Sequence, residues 1–133
     1  MASLTEVRQA IKARLETVRN LTAYAIEPGT PFCPAAWSIP VRVDYHSTFD
    51  GDMTYTMGIS VAVLLTDLGA AQTALDDYLA PSGTKSIVAL LEADPSLGGV
   101  VDDTTVMAMT AYGAREMGGK SVLVASFEVR IYA

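Results

Sequence analysis

From Met53 to Leu65 every second residue is apolar: Met53, Tyr55, Met57, Ile59, Val61, Val63 and Leu65, with Thr54, Thr56, Gly58 and Ser60 facing the other way. Successive side chains of a strand point to opposite faces, so a run of this length and period specifies a β-strand with one buried face. It has a mate upstream. Trp37, Ile39, Val41, Val43 and Tyr45 alternate with Ser38, Pro40, Arg42 and Asp44, and Asp50-Gly51 between the two runs is a favoured turn dipeptide. Segments 37–46 and 53–66 are therefore expected to form a long antiparallel hairpin. Pro40 has no N–H for a ladder, which puts the first strand at an edge or bulges it there.

Helical period and capping supply the other elements. Ser3 with Glu6 makes a capping-box pattern, in which each side chain takes a backbone N–H that the first turn leaves unpaired. Leu4, Val7, Ile11, Leu15 and Val18 recur at spacings of three and four, which predicts a helix over 4–19 with its bases on the opposite face. A short strand is expected over 21–26, and 27–34 (EPGTPFCP) is expected as loop. Asp67 is placed to cap a helix whose apolar stripe is Ala70, Ala71, Ala74, Leu75, Tyr78 and Leu79. Pro81-Ser82-Gly83 ends it, and Ser82 or Thr84 is expected to start a short helix that buries Ile87, Val88, Leu90 and Leu91 before Asp94-Pro95 stops it. Val106–Tyr112, apolar on both faces, and Leu123–Ile131, cleanly alternating, are expected as a closing hairpin with its loop over 113–120. This order predicts one α+β domain over residues 1–133. Its sheet is antiparallel or mixed, of four to five strands, with an N-terminal helix and a central helix pair packed on it.

Composition narrows the function classes. Half of the 133 residues are hydrophobic and 18% are charged, enough for a core and too apolar for a disordered chain. Apolar runs such as Val61–Leu65 fall far short of the roughly 20 residues of a membrane-spanning helix. No basic segment leads into an apolar one at the N-terminus, so no secretory signal is visible. Cys33 is the single cysteine, which excludes an internal disulfide and suits a reducing compartment; the sequon Asn20-Leu21-Thr22 then carries no weight. A net charge of −6 opposes gripping nucleic acid, where binding begins by neutralising phosphates. The charge is uneven. Residues 1–20 carry four bases and two acids, and residues 21–133 carry five bases and thirteen acids. A basic first helix beside an acidic body suits subunits that meet head to tail, and a solvated helix face explains it equally well.

Motifs for chemistry fail on their companions. Ser82-Gly83-Thr84-Lys85 matches S-x-x-K, but the S-D-N and K-T-G elements of that chemistry are missing, and a helix cap accounts for the serine. Gly83-Thr84-Lys85-Ser86 separates the Gly-Lys pair of a phosphate loop, and Tyr78 stands where its first glycine belongs. Asp50-Gly51-Asp52 would begin a calcium loop whose twelfth position is Val61, where a bidentate Glu is needed. Asp76-Asp77 and Asp102-Asp103 are adjacent pairs whose side chains diverge on a helix or a strand. His46 is the only histidine, which leaves no second imidazole for a metal site or a nucleophile triad. No catalytic residue, cofactor or metal is assigned, and the chain is expected not to be an enzyme.

The segment from Leu75 through Val106 reads, in its main part, DDYLAPSGTKSIVALLEADPSLGGVVDDTTV. This stretch resembles the neck proteins of long-tailed phages infecting actinobacteria. Such proteins are small chains with an N-terminal helix, a long hairpin, a helix pair joined by a Pro-Ser-Gly turn, a Leu-Gly-Gly-Val link and a closing hairpin, an order that covers essentially the whole sequence. The order is also similar to the fold of tail-terminator proteins. That resemblance implies a structural virion protein of the siphophage neck, made in the host cytoplasm. It would form a hexameric ring that caps the major tail tube protein and meets a head-side connector or stopper, with DNA passing through the lumen unbound. Another neck component, a stopper or tail-completion protein, and a small ligand-binding or enzymatic domain are the alternative readings. If subunits meet in a ring, Arg8 and Lys12 on the first helix and Met107 and Met109 on the two-faced strand are candidate contacts. Met53, Met57 and Met117 join them as apolar surface that neighbouring subunits could cover, with core filling as the alternative. Asp50, Asp52, Arg115 and Lys120 at the hairpin tips, with loop 27–34, are candidates for axial partners.

Overall fold

The computed structural model describes residues 2–45 and 53–133. Its elements, in chain order, are α1 (Leu4–Leu15), β1 (Thr22–Tyr24), β2 (Ala35–Asp44), β3 (Thr54–Leu64), α2 (Leu68–Leu79), α3 (Ile87–Ala93), β4 (Asp103–Met117) and β5 (Lys120–Tyr132). The five strands make one mixed sheet in the order β1-β2-β3-β5-β4, with β1 parallel to β2 and every other pair antiparallel. The fold is α+β, with an N-terminal helix and a central helix pair.

Cross-strand partners share a face, so the register sorts the core. Tyr55, Met57, Ile59, Val61 and Val63 of β3 lie opposite Ile131, Val129, Phe127, Ala125 and Leu123 of β5. All are buried with Val7, Ile11 and Leu15 of α1, Leu75 and Tyr78 of α2, and Ile87 and Leu91 of α3. The helices thus cover one face of the sheet. α1 starts as expected: Ser3 Oγ accepts from Glu6 N at 3.2 Å and Ser3 N donates to Glu6 Oε1 at 3.3 Å. It stops at Leu15 rather than 19, because Thr17 N bonds to Arg14 O and Val18 N to Leu15 O, and Asn20 turns into the left-handed region at φ 64°. Val18 still reaches the core from that turn. Asp67 caps α2 by accepting from Ala70 N at 3.0 Å. The α2 stripe is narrower than expected, with Ala71, Leu75 and Tyr78 buried and Ala70 and Ala74 exposed. The cap of α3 is Ser86, whose Oγ accepts from Ala89 N and donates to Ala80 O, and not Ser82 or Thr84.

The opposite face holds a second, smaller cluster. Trp37, Ala35, Ala62, Met117, Val122 and Val124 are buried there, with Tyr24 and Cys33 packed against them. The Pro-rich loop closes over it, held by Phe32 N donating to Tyr24 Oη at 3.1 Å. This corrects the expected burial of β2. Trp37 is buried, yet on the face away from the helices, while Ile39, Val41 and Tyr45 on the same alternation are exposed. The register slips between Pro40 and Arg42. A bulge there inserts one extra residue, so Val43 returns to the helix side opposite Tyr55 and packs on the main core.

The closing hairpin is longer than its periodicity suggests. β4 pairs with β5 from Asp103–Tyr132 to Met117–Lys120, with irregularities between Val106 and Ala108 and between Met109 and Ala111. The expected loop over 113–120 shrinks to Gly118-Gly119, both at positive φ (58° and 81°). Two such residues are the requirement of a two-residue type I′ turn.

Candidate interaction surfaces

The expected contact residues sort into three regions. Arg8 and Lys12 lie on α1, which packs on β1 and β2. Lys12 is already paired with Glu16 at 3.0 Å, and Arg14 Nη2 donates to Leu90 O at 3.1 Å, tying α1 to α3. Arg8 has no ion pair among the described residues. Met107 and Met109 lie on β4, 48% and 47% exposed. The other methionines considered with them do not join that surface: Met57 and Met117 are buried in the two clusters, and Met53 is partly buried against the first.

Arg115 and Lys120 flank the Gly118-Gly119 turn and, though exposed, bond to the molecule's own loop. Arg115 Nη2 meets Glu27 Oε1 at 2.7 Å, and Lys120 Nζ donates to Pro31 O at 3.3 Å. Between them, a Cβ on Gly118 would stand 2.0 Å from Thr30 Oγ1 and 2.9 Å from Gly29 O. The second hairpin tip and loop 27–34, expected as two free elements, are one docked unit at one end of the sheet. Asp50 and Asp52, with His46, lie outside the described residues. The described strand ends Asp44 and Thr54 lie level with Asp103 and Tyr132, at the other end of the sheet.

Sheet edges are the largest unpartnered backbone. β4 is an edge strand, and no charged residue occurs between Asp103 and Arg115. Residues 107–116 are all exposed. On the other side, β1 pairs only with Ala35–Trp37, so β2 from Ser38 to Asp44 has no outer neighbour among the described residues. Ile39 and Val41, 39% and 64% exposed, stand on that free stretch. Periodicity places both in a core; Pro40 was the available signal for an edge, and it concerned the strand rather than these side chains.

Chemistry finds little to work with. Among the described residues no group of three or more His, Cys, Asp and Glu side chains converges, and no helix is long and apolar enough to cross a membrane. A shallow hollow of about 290 Å³ is lined by Cys33, Pro34, Leu64, Ala70, Tyr78 and Lys85, among others. Burial pushes the Cys33 thiol up against a smaller opposing pull from Lys120, the wrong direction for a nucleophile. Burial, with Asp77 adding to it, likewise raises Tyr78. Asp94 is held below the ordinary carboxylate range, first by the Ser96 hydroxyl and then by Gly98 N. These bonds, 2.9 Å and 2.8 Å, organise the turn after α3. Comparison with protein-family models and with curated proteins finds no match to this chain.

Proposed function

We propose that this chain is a non-enzymatic assembly subunit of a phage neck, of the tail-terminator kind, which works by joining copies of itself into a ring, with six copies the number implied by the resemblance. The observation that carries the reading is β4: a fifteen-residue strand at a sheet edge, exposed along most of its length and without charge between Asp103 and Arg115. Soluble chains guard long edges with charge or cover, because bare ladder groups recruit another strand. A surface of this kind belongs to a protein whose partner is another protein. The Gly118-Gly119 turn at one end of the sheet and the strand ends Asp44 and Thr54 at the other support a subunit with neighbours above and below, the tail tube on one side and a connector or stopper on the other.

Electron microscopy of the purified protein, alone and with tail tubes, tests this directly. Rings that bind one end of a tube are the expected result, and labelled subunits found away from the neck of assembled virions would sink the reading. The alternative neck components are separated by position, since only a terminator touches the last ring of tube protein.

A further inference from the structure

We infer that copies of this chain join edge to edge, β4 of one copy pairing antiparallel with the free stretch of β2, Ser38–Asp44, of the next. This deepens the ring reading and rests on it, naming the two surfaces that a head-to-tail ring requires.

Three observations lead to these edges and to a second copy as the occupant. The first is strand direction. β2 and β3 are antiparallel, as are β3 and β5 and then β5 and β4, so β2 and β4 of one molecule run in opposite senses. Two copies set side by side in the same orientation therefore offer β4 to the neighbour's β2 as an antiparallel pair, with no reversal of either copy. The second is shape on the face away from the helices. There β2 presents Ile39 and Val41, both exposed, next to Gly58, where a Cβ would already touch both side chains at 3.4 Å. On the same face and at the same level of the sheet β4 is small: Ala108 lies opposite Glu128, level with Ile39, and Thr105 lies opposite Arg130, level with Arg42. Large apolar side chains on one edge thus meet small ones on the other. The third is charge. Asp102 and Asp103 stand at the end of β4 that lies level with Arg42 and Asp44 of β2. Among the described residues Arg42 pairs with Asp44, two residues on, and its largely exposed side chain stands where a neighbouring copy's aspartates would come.

The irregularities in β4 and at Val41 fit the same arrangement. Bulges bend a strand and increase its twist, which curves successive copies around an axis instead of laying them in a flat ribbon. A continuous sheet that closes on itself leaves no edge bare.

The test uses one substitution on each edge, Val41→Lys and Ala108→Lys, both at exposed positions. Mass and sedimentation are measured for each variant alone and for the two mixed. Each variant alone is expected to lose all assembly at concentrations where the unmodified protein is fully assembled. The mixture is expected to form one-to-one dimers and nothing larger, because one intact β2 edge and one intact β4 edge remain to pair. That dimer also shows that both variants are folded. Assembly of either variant as in the unmodified protein overturns the edge pairing and leaves the ring reading standing. One-to-one dimers from variants of a protein whose unmodified form makes only open chains keep the edge pairing and overturn the ring. An unmodified protein that stays monomeric at every concentration and on tail tubes overturns both.

Discussion

Single residues settle how the ends of the sheet are closed. Gly118 has two reasons to be glycine, since its φ of 58° is left-handed and its missing side chain admits Thr30 and the Gly29 carbonyl. Gly119 has only the first reason, at φ 81° with open space beside it, and Gly113 has neither. Alanine substitutions should therefore form a graded series. Gly113→Ala is expected to be neutral within about 0.5 kcal/mol. Gly119→Ala should cost about 1–2 kcal/mol for the backbone conformation alone. Gly118→Ala should cost more than that, because the Gly29 backbone must also move. Thermal or denaturant unfolding of the three variants measures the order, and equal losses at 118 and 119 would show that the loop does not press on the turn. Asp94 makes a separate prediction. Its folded pKa is depressed by the bonds from Ser96 and Gly98, so its stabilisation is fully present above the ordinary carboxylate pKa and is lost as pH falls through the folded value. Asp94→Asn should be less stable than the parent near neutral pH. The gap should close in acid, well below the ordinary value of about 3.9. An acid-independent gap in unfolding midpoint would mean that the carboxylate charge plays no part in the turn.

At the scale of elements, the second core explains why a Pro-rich loop is folded under the sheet. Trp37 is completely buried on the face without helices, where Tyr24 of β1, Cys33 of the loop and Met117 of the hairpin tip pack in the same cluster. Its indole N–H finds no acceptor among the described residues, so packing rather than hydrogen bonding holds the ring. Trp37→Ala should cost about 3–5 kcal/mol and loosen loop 27–34, seen as faster amide exchange there than in α1. Unchanged exchange in the loop would separate the loop from this core. Removing the exposed Arg115–Glu27 pair should matter far less, about 0–1 kcal/mol. The same region shows what a sequence discloses and what it hides. The caps at Ser3 and Asp67 and the alternation of β3 were legible because each has a local cause. The side taken by Trp37 was not, since a period of two says that faces alternate without saying which face is covered, and the extra residue at Val41 reverses the parity midway. The reach of β4 was hidden for a related reason. A strand exposed on both faces has no burial to imprint alternation, so 113–117 read as loop. Met107 and Met109 were recognisable as surplus apolar surface, while Ile39 and Val41, on the opposite edge of the sheet, looked like core.

For the whole molecule, the fold separates lateral from axial surfaces, and the charge distribution follows the lateral direction. α1, with Arg8 and Lys12, packs on the β1–β2 side, whereas α3 contacts β4, whose first residue is Asp103 beside Asp102. In a ring built head to tail, the basic flank of one copy would stand next to the acidic flank of another. Asp76 and Asp77, exposed on α2 over the middle of the sheet, would face neither neighbour. Reversing Arg8 and Lys12 to Glu should therefore weaken ring assembly more than reversing Asp76 and Asp77 to Lys. Each exposed contact is worth only about 0.2–1 kcal/mol, but a closed ring repeats it at every interface, so the loss multiplies with the number of copies. The signs are distinguishable from a general effect of net charge. Reversing two bases makes an acidic protein more acidic, so self-repulsion alone would also weaken assembly. Added salt should restore the Arg8–Lys12 variant only to the level that the unmodified protein shows at the same salt, since screening removes attraction and repulsion alike. The control is a second acidic variant of equal charge with four new acids on the exposed face of α2, Glu at Ala70, Gln72, Thr73 and Ala74. If that variant assembles as poorly as the reversal on α1, the flank of the molecule is not being read, and only its total charge is. If it assembles like the parent while the α1 reversal does not, the basic helix lies at the junction between copies.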